Sequence, residues 1–402
     1  HEAGRDLTTG IRNIYVGGGA GKLSNDADHN VAIGHAALAN NLQGDNNVAV
    51  GSGTLQAQNT SSSADTYNTA VGYNAGLSVT SGLYNTLMGG LAGDALTDAD
   101  LNVAVGYNSL STDTQGSKST AIGNNALGDQ NFTSSTDSHN TAVGYNAGTR
   151  VTTGIRNTIM GSEAGDALTD ADYNIAIGYQ ALSTDTQGSR SVAIGYQALE
   201  SQNFTSATDS KNVAVGFNAG VAVSTGTLNV FMGYNSGAAN TTGYDNICIG
   251  RDSGVSDGAG ASCVTGYRNI LIGNVNVLSA ADGIHQITLG SAITGANSSF
   301  TFGNGGTDSR IGVGATSISA PSDERYKEEI TTSTAGLSFI NDLRPVTFKW
   351  KKEKDVPTNS QSYVADSNTR VMGRGDKVQH GFIAQEVKAV IDNHSEIKDG
   401  FE

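Results

Sequence analysis

The stretch NTAVGYNAG at residues 68–76 begins with the unit that decides the fold. Its first five residues are asparagine, a β-branched residue, alanine, a large aliphatic residue and glycine. The same unit recurs along most of the chain, for example as NVAIG at 30–34 and NVAVG at 102–106, and with isoleucine in place of alanine as NTIMG at 157–161. Most steps between the closing glycines are 17 residues and every fourth is 21, which makes a 72-residue super-repeat. Self-similarity at a fixed period is typical of repeat architectures, in which each unit stacks on its neighbours.

Each unit has the alternation of a β-strand. In Thr69, Ala70 and Val71, as in most copies, large side chains flank an alanine, so one face is bulky and the other is small. The closing glycine is expected to make a tight turn or one with positive φ. The opening asparagine suits a stacked turn, in which side-chain amides hydrogen-bond from one coil to the next. A strand of five residues cannot bury a core alone, but stacked coils can.

The predicted fold is therefore mainly β: a parallel β-solenoid, or β-roll, of about 17 coils that would form a rod on the order of 80 Å long at ~4.8 Å per coil. The alanine face is expected to let other chains approach closely, which favours a homotrimer. The alternative is that alanine only fits a thin coil, without any role in assembly.

Composition excludes several function classes. The net charge is −15, with 23 Lys and Arg among 402 residues, which argues against nucleic acid and against anionic membrane surfaces. No apolar run approaches the ~20 residues of a membrane-spanning helix. With only Cys248 and Cys263, no disulfide framework is predicted, and Cys248 is interpreted as a small core residue in a strand. The chain begins with His1, so we expect an N-terminal portion to precede it.

The chain changes character at PSDERYKEEI, residues 321–330. Residues 1–321 carry 11 Lys and Arg and 24 Asp and Glu, whereas the last 81 residues carry 12 and 14, and all three prolines lie at or after 321. The predicted domains are a solenoid at 1–305, a linker at 306–321 and a small α+β domain at 322–402. Read alone, Ser322 or Asp323 is an ordinary helix N-cap. Downstream, LSFINDLRPVTFKW at 337–350 predicts a helix with Leu337, Ile340 and Leu343 inward, followed by a strand. HGFIAQEVKAVI at 380–391 predicts a strand leading into a helix.

Two resemblances refine this interpretation. The N-x-A-[VI]-G-x-x-A units resemble the head repeats of trimeric autotransporter adhesins and similar arrays in bacteriophage tail fibres, although the 17- and 21-residue steps are longer than in the adhesin heads. The order SDERYK, LRPVTFKW, GFIAQEV resembles the intramolecular chaperone auto-processing domain at the C-termini of phage tail fibres, spikes and endosialidases. That domain usually continues further than Glu402, so we expect a truncated copy, with an unusually short domain as the alternative.

The second resemblance implies a self-cleaving Ser-Lys peptidase. Ser322 would be the nucleophile and Lys327 the general base, and the scissile bond would be Pro321–Ser322. Asp323, Gln385 and Glu386 match family positions near that site, with packing or structural hydrogen bonds as the alternative to catalysis. A neutral amine must accept the hydroxyl proton, so Lys327 would need a lowered pKa. No substrate turnover is expected beyond this single cleavage.

The resemblances imply a homotrimeric phage tail-fibre protein of the virion. Its partners would be a glycan or protein receptor on the host cell and other tail proteins bound through the missing N-terminus. The receptor site is expected near residues 235–315, where the repeat becomes irregular. The alternative is a bacterial trimeric surface adhesin. No cofactor or metal is predicted, since the histidines lack metal-ligand spacing and the acidic GDALTDAD stretches at 93–100 and 165–172 are interpreted as solvated turns rather than calcium loops. The RGD triplet within 373–377 is interpreted as a chance match.

Overall fold

The computed structural model describes residues 1–60, 62–256, 260–305, 308–312, 336–358, 363–371 and 376–394. The chain divides into two compact units, His1–Pro321 and Ser322–Glu402.

The first unit is a β-solenoid of about 17 turns, which confirms the predicted fold class. Each coil adds one short strand to a main sheet, and each strand pairs in parallel with the strand of the next coil. The pairing joins equivalent positions, as between Thr69 and Thr86. Most strands have three residues rather than the expected five. The main strands are Ile14–Val16, Val31–Ile33, Val48–Val50, Thr69–Val71, Thr86–Met88, Val103–Val105, Thr120–Ile122, Thr141–Val143, Thr158–Met160, Ile175–Ile177, Val192–Ile194, Val213–Val215, Val230–Met232, Ile247–Ile249, Ile270–Asn274, Gln286–Ser291 and Ser299–Asn304.

Two smaller features complete the solenoid. Each 21-residue step adds a pair of two-residue parallel strands: Gly44–Asp45 with Ala64–Asp65, Gly116–Ser117 with Thr136–Asp137, and Gly188–Ser189 with Thr208–Asp209. At the C-terminal end, strand Ser309–Gly312 pairs antiparallel with Ser299–Asn304. This strand lies within the segment predicted as a linker, and its pairing covers the edge that the last coil would otherwise expose.

The alanines of the repeat point into the coil and not toward other chains. Ala49, Ala70, Ala104 and Ala121 are all completely buried. The expectation that this face packs three copies together is therefore wrong, and the alternative that alanine fits a thin coil is correct. The physical reason is that a coil of 17 residues encloses little volume, so a large side chain fits inside only where its neighbours are small.

These small neighbours occur at fixed positions of the 72-residue super-repeat. Leu87 replaces the buried alanine in its coil, and ideal Cβ atoms built on Gly76 and Gly93 would lie only 2.7 and 2.8 Å from its methyl carbons. Ile159 and Phe231 occupy the equivalent positions 72 and 144 residues on, and both are completely buried. In the coils with a buried alanine and a leucine after the turn, such as that of Leu110, the leucine fills the same space. Large buried side chains thus occur beside glycines along the stack.

A ladder of buried asparagines runs along the solenoid, as the sequence predicted. In a typical rung, the Asn47 backbone N–H donates to the Asn30 side-chain oxygen at 2.9 Å, and the Asn30 amide donates to the Gly44 carbonyl of the next coil at 2.9 Å. Buried backbone groups need such partners, because leaving one unpaired costs about as much as a lost hydrogen bond. The ladder members are Asn30, Asn47, Asn68, Asn85, Asn102, Asn140, Asn157, Asn174, Asn212, Asn229, Asn246 and Asn269.

The closing glycines have the positive φ that the sequence predicted. Gly144, for example, has φ +141°, a conformation that L side chains rarely adopt. A Cβ there would also overlap the carbonyl oxygen of Gly161, the closing glycine of the next coil. Both the turn and the close stacking of coils therefore require glycine.

The second unit is a small α+β structure. Its described elements are helix Leu337–Asp342, strand Val346–Phe348, the 3₁₀ helix Glu353–Asp355, strand Gln379–Gly381 and helix Ala384–Asn393, and the two strands pair antiparallel. Two details of the first helix differ from the prediction: Leu337 and Ile340 are 72% and 58% exposed rather than inward. None of the helices in the described parts of either unit has the length and apolar character needed to cross a membrane.

Candidate functional site

The predicted cleavage centre falls outside the described residues. Pro321, Ser322, Asp323 and Lys327 all belong to the undescribed segment 313–335. The nucleophile, the general base and the scissile bond therefore stay predictions. The other two predicted residues, Gln385 and Glu386, are the second and third residues of helix Ala384–Asn393.

Glu386 forms an ion pair that sequence reasoning did not identify. The Arg344 Nε donates to Glu386 Oε2 at 3.0 Å, and a guanidinium nitrogen of Arg344 also bonds Oε1. The hydrogen bond and the charge of Arg344 lower the pKa of the Glu386 carboxyl. Such bidentate geometry fixes the orientation of both groups, although exposed pairs stabilise little. The only signal in the sequence was the position of Arg344 before Pro345 in the LRPV motif. Gln385 lies on the exposed side of its helix.

Further contacts hold the two helices of this unit together. The His394 Nε2 lies 3.0 Å from a carboxylate oxygen of Asp342, and the ring of Phe339 meets the His394 ring edge-on, with centroids 5.4 Å apart. A shallow, mainly apolar cleft lies beside the strand pair. It is lined by Pro345, Val346, Thr347, His380, Gly381 and Phe382.

On the solenoid, the outward face of the main sheet carries the large side chains of the repeat. The residues on either side of each buried alanine point outward, as at Thr141 and Val143, which are half-buried. Met88, Met160 and Met232 occupy one super-repeat position on this face and are 43%, 45% and 42% exposed. The face is therefore an uninterrupted surface of aliphatic side chains and threonines that follows the stacking direction.

An aromatic column borders this face, formed by the residues that directly follow the closing glycines. Tyr179, Tyr196, Phe217 and Tyr234 stack in succession, with ring centroids 5.4, 4.8 and 5.4 Å apart and interplanar angles of 23°, 7° and 11°. The strand pattern of the sequence does not predict this column. Its signal was the recurrence of tyrosine or phenylalanine after the closing glycine, a position outside the strand pattern.

The irregular region 235–315 contains a second aromatic stack and the two cysteines. Tyr244 and Tyr267 stack with centroids 4.7 Å apart. Cys248 and Cys263 are buried free thiols, and burial raises the pKa of both, that of Cys263 to about 11. The interpretation of Cys248 as a core residue is confirmed. Among the residues that the structure describes, no group of three or more His, Cys, Asp or Glu side chains is arranged to hold a metal ion.

Comparison with known proteins finds a similarity in the second unit. Residues 322–396 match the model of the family described as chaperone of endosialidase. No curated protein and no solved structure matches the chain. A β-solenoid followed by a chaperone-type domain fits a tail-fibre-like protein. The part of this domain that the sequence predicts to be catalytic lies at the start of the matched range.

Proposed function

We propose that this chain is a structural tail-fibre protein of a bacteriophage virion, which attaches to the surface of the host cell. Its solenoid would form the fibre, and residues 322–402 would guide assembly and then be removed. The observation that carries the proposal is the match of residues 322–396 to a chaperone family directly behind a repetitive β-solenoid. A long stack of parallel strands is slow to nucleate, because distant pairings must form before they stabilise the chain, so a chaperone joined to it has a physical purpose.

The fibre would be a homotrimer that packs through the outward face of the main sheet. The sequence predicted an interface on the alanine face, but the alanines are buried inside each coil, so the outward face takes its place in this proposal. Its exposed aliphatic side chains, Met88, Met160 and Met232 among them, recur at a constant spacing. Exposed apolar surfaces that extend over many residues mark interaction sites, and identical repeats on three chains would bring equivalent rows together.

A matched pair of substitutions tests this assignment of the interface. Met160→Asp is expected to leave the coil folded but to weaken the trimer, because the carboxylate would be buried without a partner. Ala142→Asp is expected to unfold the local coils, because Ala142 is completely buried within one chain. Analytical ultracentrifugation and circular dichroism separate the two effects. A trimer that is unaffected by Met160→Asp would contradict the assignment.

Maturation would proceed by cleavage at Pro321–Ser322. Ser322 Oγ attacks the carbonyl carbon of Pro321 while its proton passes to the neutral amine of Lys327. The Ser322 nitrogen leaves and takes up a proton, so the peptide bond becomes an ester. Water then hydrolyses the ester and releases the chaperone with Ser322 at its new N-terminus.

Mass analysis under denaturing conditions tests the cleavage. The parent is expected to yield a fragment of about four-fifths of the 41.1 kDa chain, and both Ser322→Ala and Lys327→Ala are expected to remain intact. Ser338→Ala, in the exposed helix Leu337–Asp342, is the control and should cleave like the parent. Cleavage of Ser322→Ala at the same bond would refute the assigned nucleophile. Sedimentation of the uncleaved Ser322→Ala protein would show whether assembly requires the cut.

A further inference from the structure

The aromatic column has a gap of a defined size at Gly90. The column position in three successive coils is Tyr73, Gly90 and Tyr107, and the two tyrosines are 63% and 58% exposed. In the uninterrupted part of the column, rings of adjacent coils lie 4.8 Å apart between Tyr196 and Phe217. Rings two coils apart are therefore separated by about 9.6 Å, twice the spacing between strands. In the uninterrupted part of the column, one ring occupies this interval between two others, as Phe217 does between Tyr196 and Tyr234.

The same protein shows that a ring fits at this position. Gly90 is 144 residues before Tyr234, which is two super-repeats, and Tyr73 has the same relation to Phe217. The Tyr234 ring stacks on Phe217 with centroids 5.4 Å apart and an interplanar angle of 11°. The site at Gly90 is thus the site that Tyr234 fills, without its ring. A Cβ at Gly90 would meet only ordinary contacts, the nearest at 3.5 Å from the Tyr107 ring, so no backbone clash explains the absence of a side chain.

The polar groups nearest to the two aromatic faces are the tyrosine hydroxyls themselves. The residue after each tyrosine is an asparagine, but Asn108 donates to Asn125 in the coil beyond Tyr107, at 3.1 Å, and the Asn74 side-chain oxygen lies over Gly53 in the coil before Tyr73. These contacts lie on the far side of each tyrosine from Gly90. An exposed tyrosine has an apolar ring face and a polar hydroxyl at its edge, which suits a ligand ring with a flat apolar face and polar edges. A pyranose ring has this character. A nucleobase does not suit the protein as well, because the phosphates of a nucleic acid would meet a chain with net charge −15.

We propose that the gap between Tyr73 and Tyr107 at Gly90 is a binding slot for one ring of a saccharide chain. The proposal rests on the proposed attachment function and names the ligand class of that function. Both faces of the bound ring would stack, one on each tyrosine, while its hydroxyl groups stay at the open edge of the slot. The equivalent position in the middle super-repeat holds Ser162, between Tyr145 and Tyr179, so that gap is narrower.

The test is a substitution whose own side chain would occupy the slot. Gly90→Tyr copies the arrangement of Tyr234 and is expected to occupy the gap without disturbing the coil. The control is Gly18→Tyr, which lies one super-repeat earlier but next to His35 rather than between tyrosines. Neither glycine has positive φ, so a side chain is allowed at both positions. Circular dichroism and sedimentation confirm that both variants fold and assemble as the parent does.

Binding is measured by saturation-transfer NMR with linear hexasaccharides of glucose, galactose and N-acetylglucosamine. The parent and Gly18→Tyr should bind at least one of them, and Gly90→Tyr should bind it at least tenfold more weakly. The slot is disproved if none of the three binds the parent, or if Gly90→Tyr binds as tightly as the parent.

Adsorption of the same proteins to bacterial cells separates this inference from the proposed function. If the parent adsorbs and Gly90→Tyr adsorbs equally, attachment stands and the slot is not its receptor site. If Gly90→Tyr loses hexasaccharide binding but the parent adsorbs to no cells, the slot stands and the attachment function fails.

Discussion

Removing one rung of the asparagine ladder should loosen the solenoid locally. The Asn157 side-chain oxygen accepts the Asn174 backbone N–H at 2.9 Å, and its amide donates to the Ala171 carbonyl at 2.8 Å. Asn157→Ala leaves both buried backbone groups without these partners. Each unpaired group costs about 1–3 kcal/mol, so opening of the affected coils should become easier by about 2–6 kcal/mol. Because each coil contacts mainly its neighbours, the effect should stay within adjacent coils.

Hydrogen exchange measured by mass spectrometry checks this prediction. At 1.4 kcal/mol per factor of ten, amides in peptides that cover residues 158–178 should exchange at least about 30-fold faster in the variant. Peptides from residues 30–60 should not change. Asn203→Ala is the control, since Asn203 is only half-buried and its side chain accepts one long hydrogen bond, at 3.4 Å from Thr186. Equal exchange in the two variants would refute the view that the ladder stabilises the stack.

Three further changes have expected outcomes. Leu87→Ala should lower the free energy of unfolding by about 2–5 kcal/mol. The loss should lie near the upper end of this range, because the flanking glycines have no side chains to fill the cavity. A denaturation midpoint equal to that of the parent would contradict this. Gly144→Ala should prevent normal stacking, whereas Gly90→Ala should have the melting temperature of the parent; a normal Gly144→Ala protein would argue against the coil geometry. Arg344→Ala should raise the pKa of Glu386, measured by carbon NMR of the carboxyl. Arg344 lowers the pKa of Glu386 in the folded unit, so the contact between them stabilises the folded unit at neutral pH. This stabilisation is lost as the pH falls through the folded pKa of Glu386. A Glu386 titration that is unchanged in the variant would exclude the contact.

The fold was largely predictable because it follows from a local pattern that repeats. Alternation around Ala70 defines a strand, and the glycine that follows defines a turn with positive φ. What the pattern does not show is which side of the strand faces inward. Small residues are usually expected where chains approach each other, but here the coil itself is so thin that alanine is its core. The bulky residues, such as Met160, are therefore outside.

The functional surfaces were less predictable, because they depend on distances across coils. The aromatic column arises from residues 17 or 21 positions apart that become neighbours only after the coils stack, as Tyr196 and Phe217 do. Arg344 and Glu386 are 42 positions apart in the sequence, and they meet only when the helices and the strand pair of the second unit have formed. In both cases the sequence shows the residues but not which of them become neighbours. Ser322 and Lys327, by contrast, were identified only through family resemblance, and their arrangement remains a prediction.

The variation within the super-repeat solves a problem that strict repetition would create. If all coils were identical, a strand could pair with any other strand, and shifts by one coil would cost little. Leu87 removes this ambiguity, because it fits only between Gly76 and Gly93 and would collide with a leucine such as Leu110 after a shift by one coil. Ile159 and Phe231 repeat the same restriction with different shapes. A shift by a whole super-repeat would still cost little free energy, since residues 72 positions apart are similar. That remaining ambiguity concerns the alignment of separate chains more than the folding of one chain, and it is the step for which an assembly domain at the C-terminus has most use.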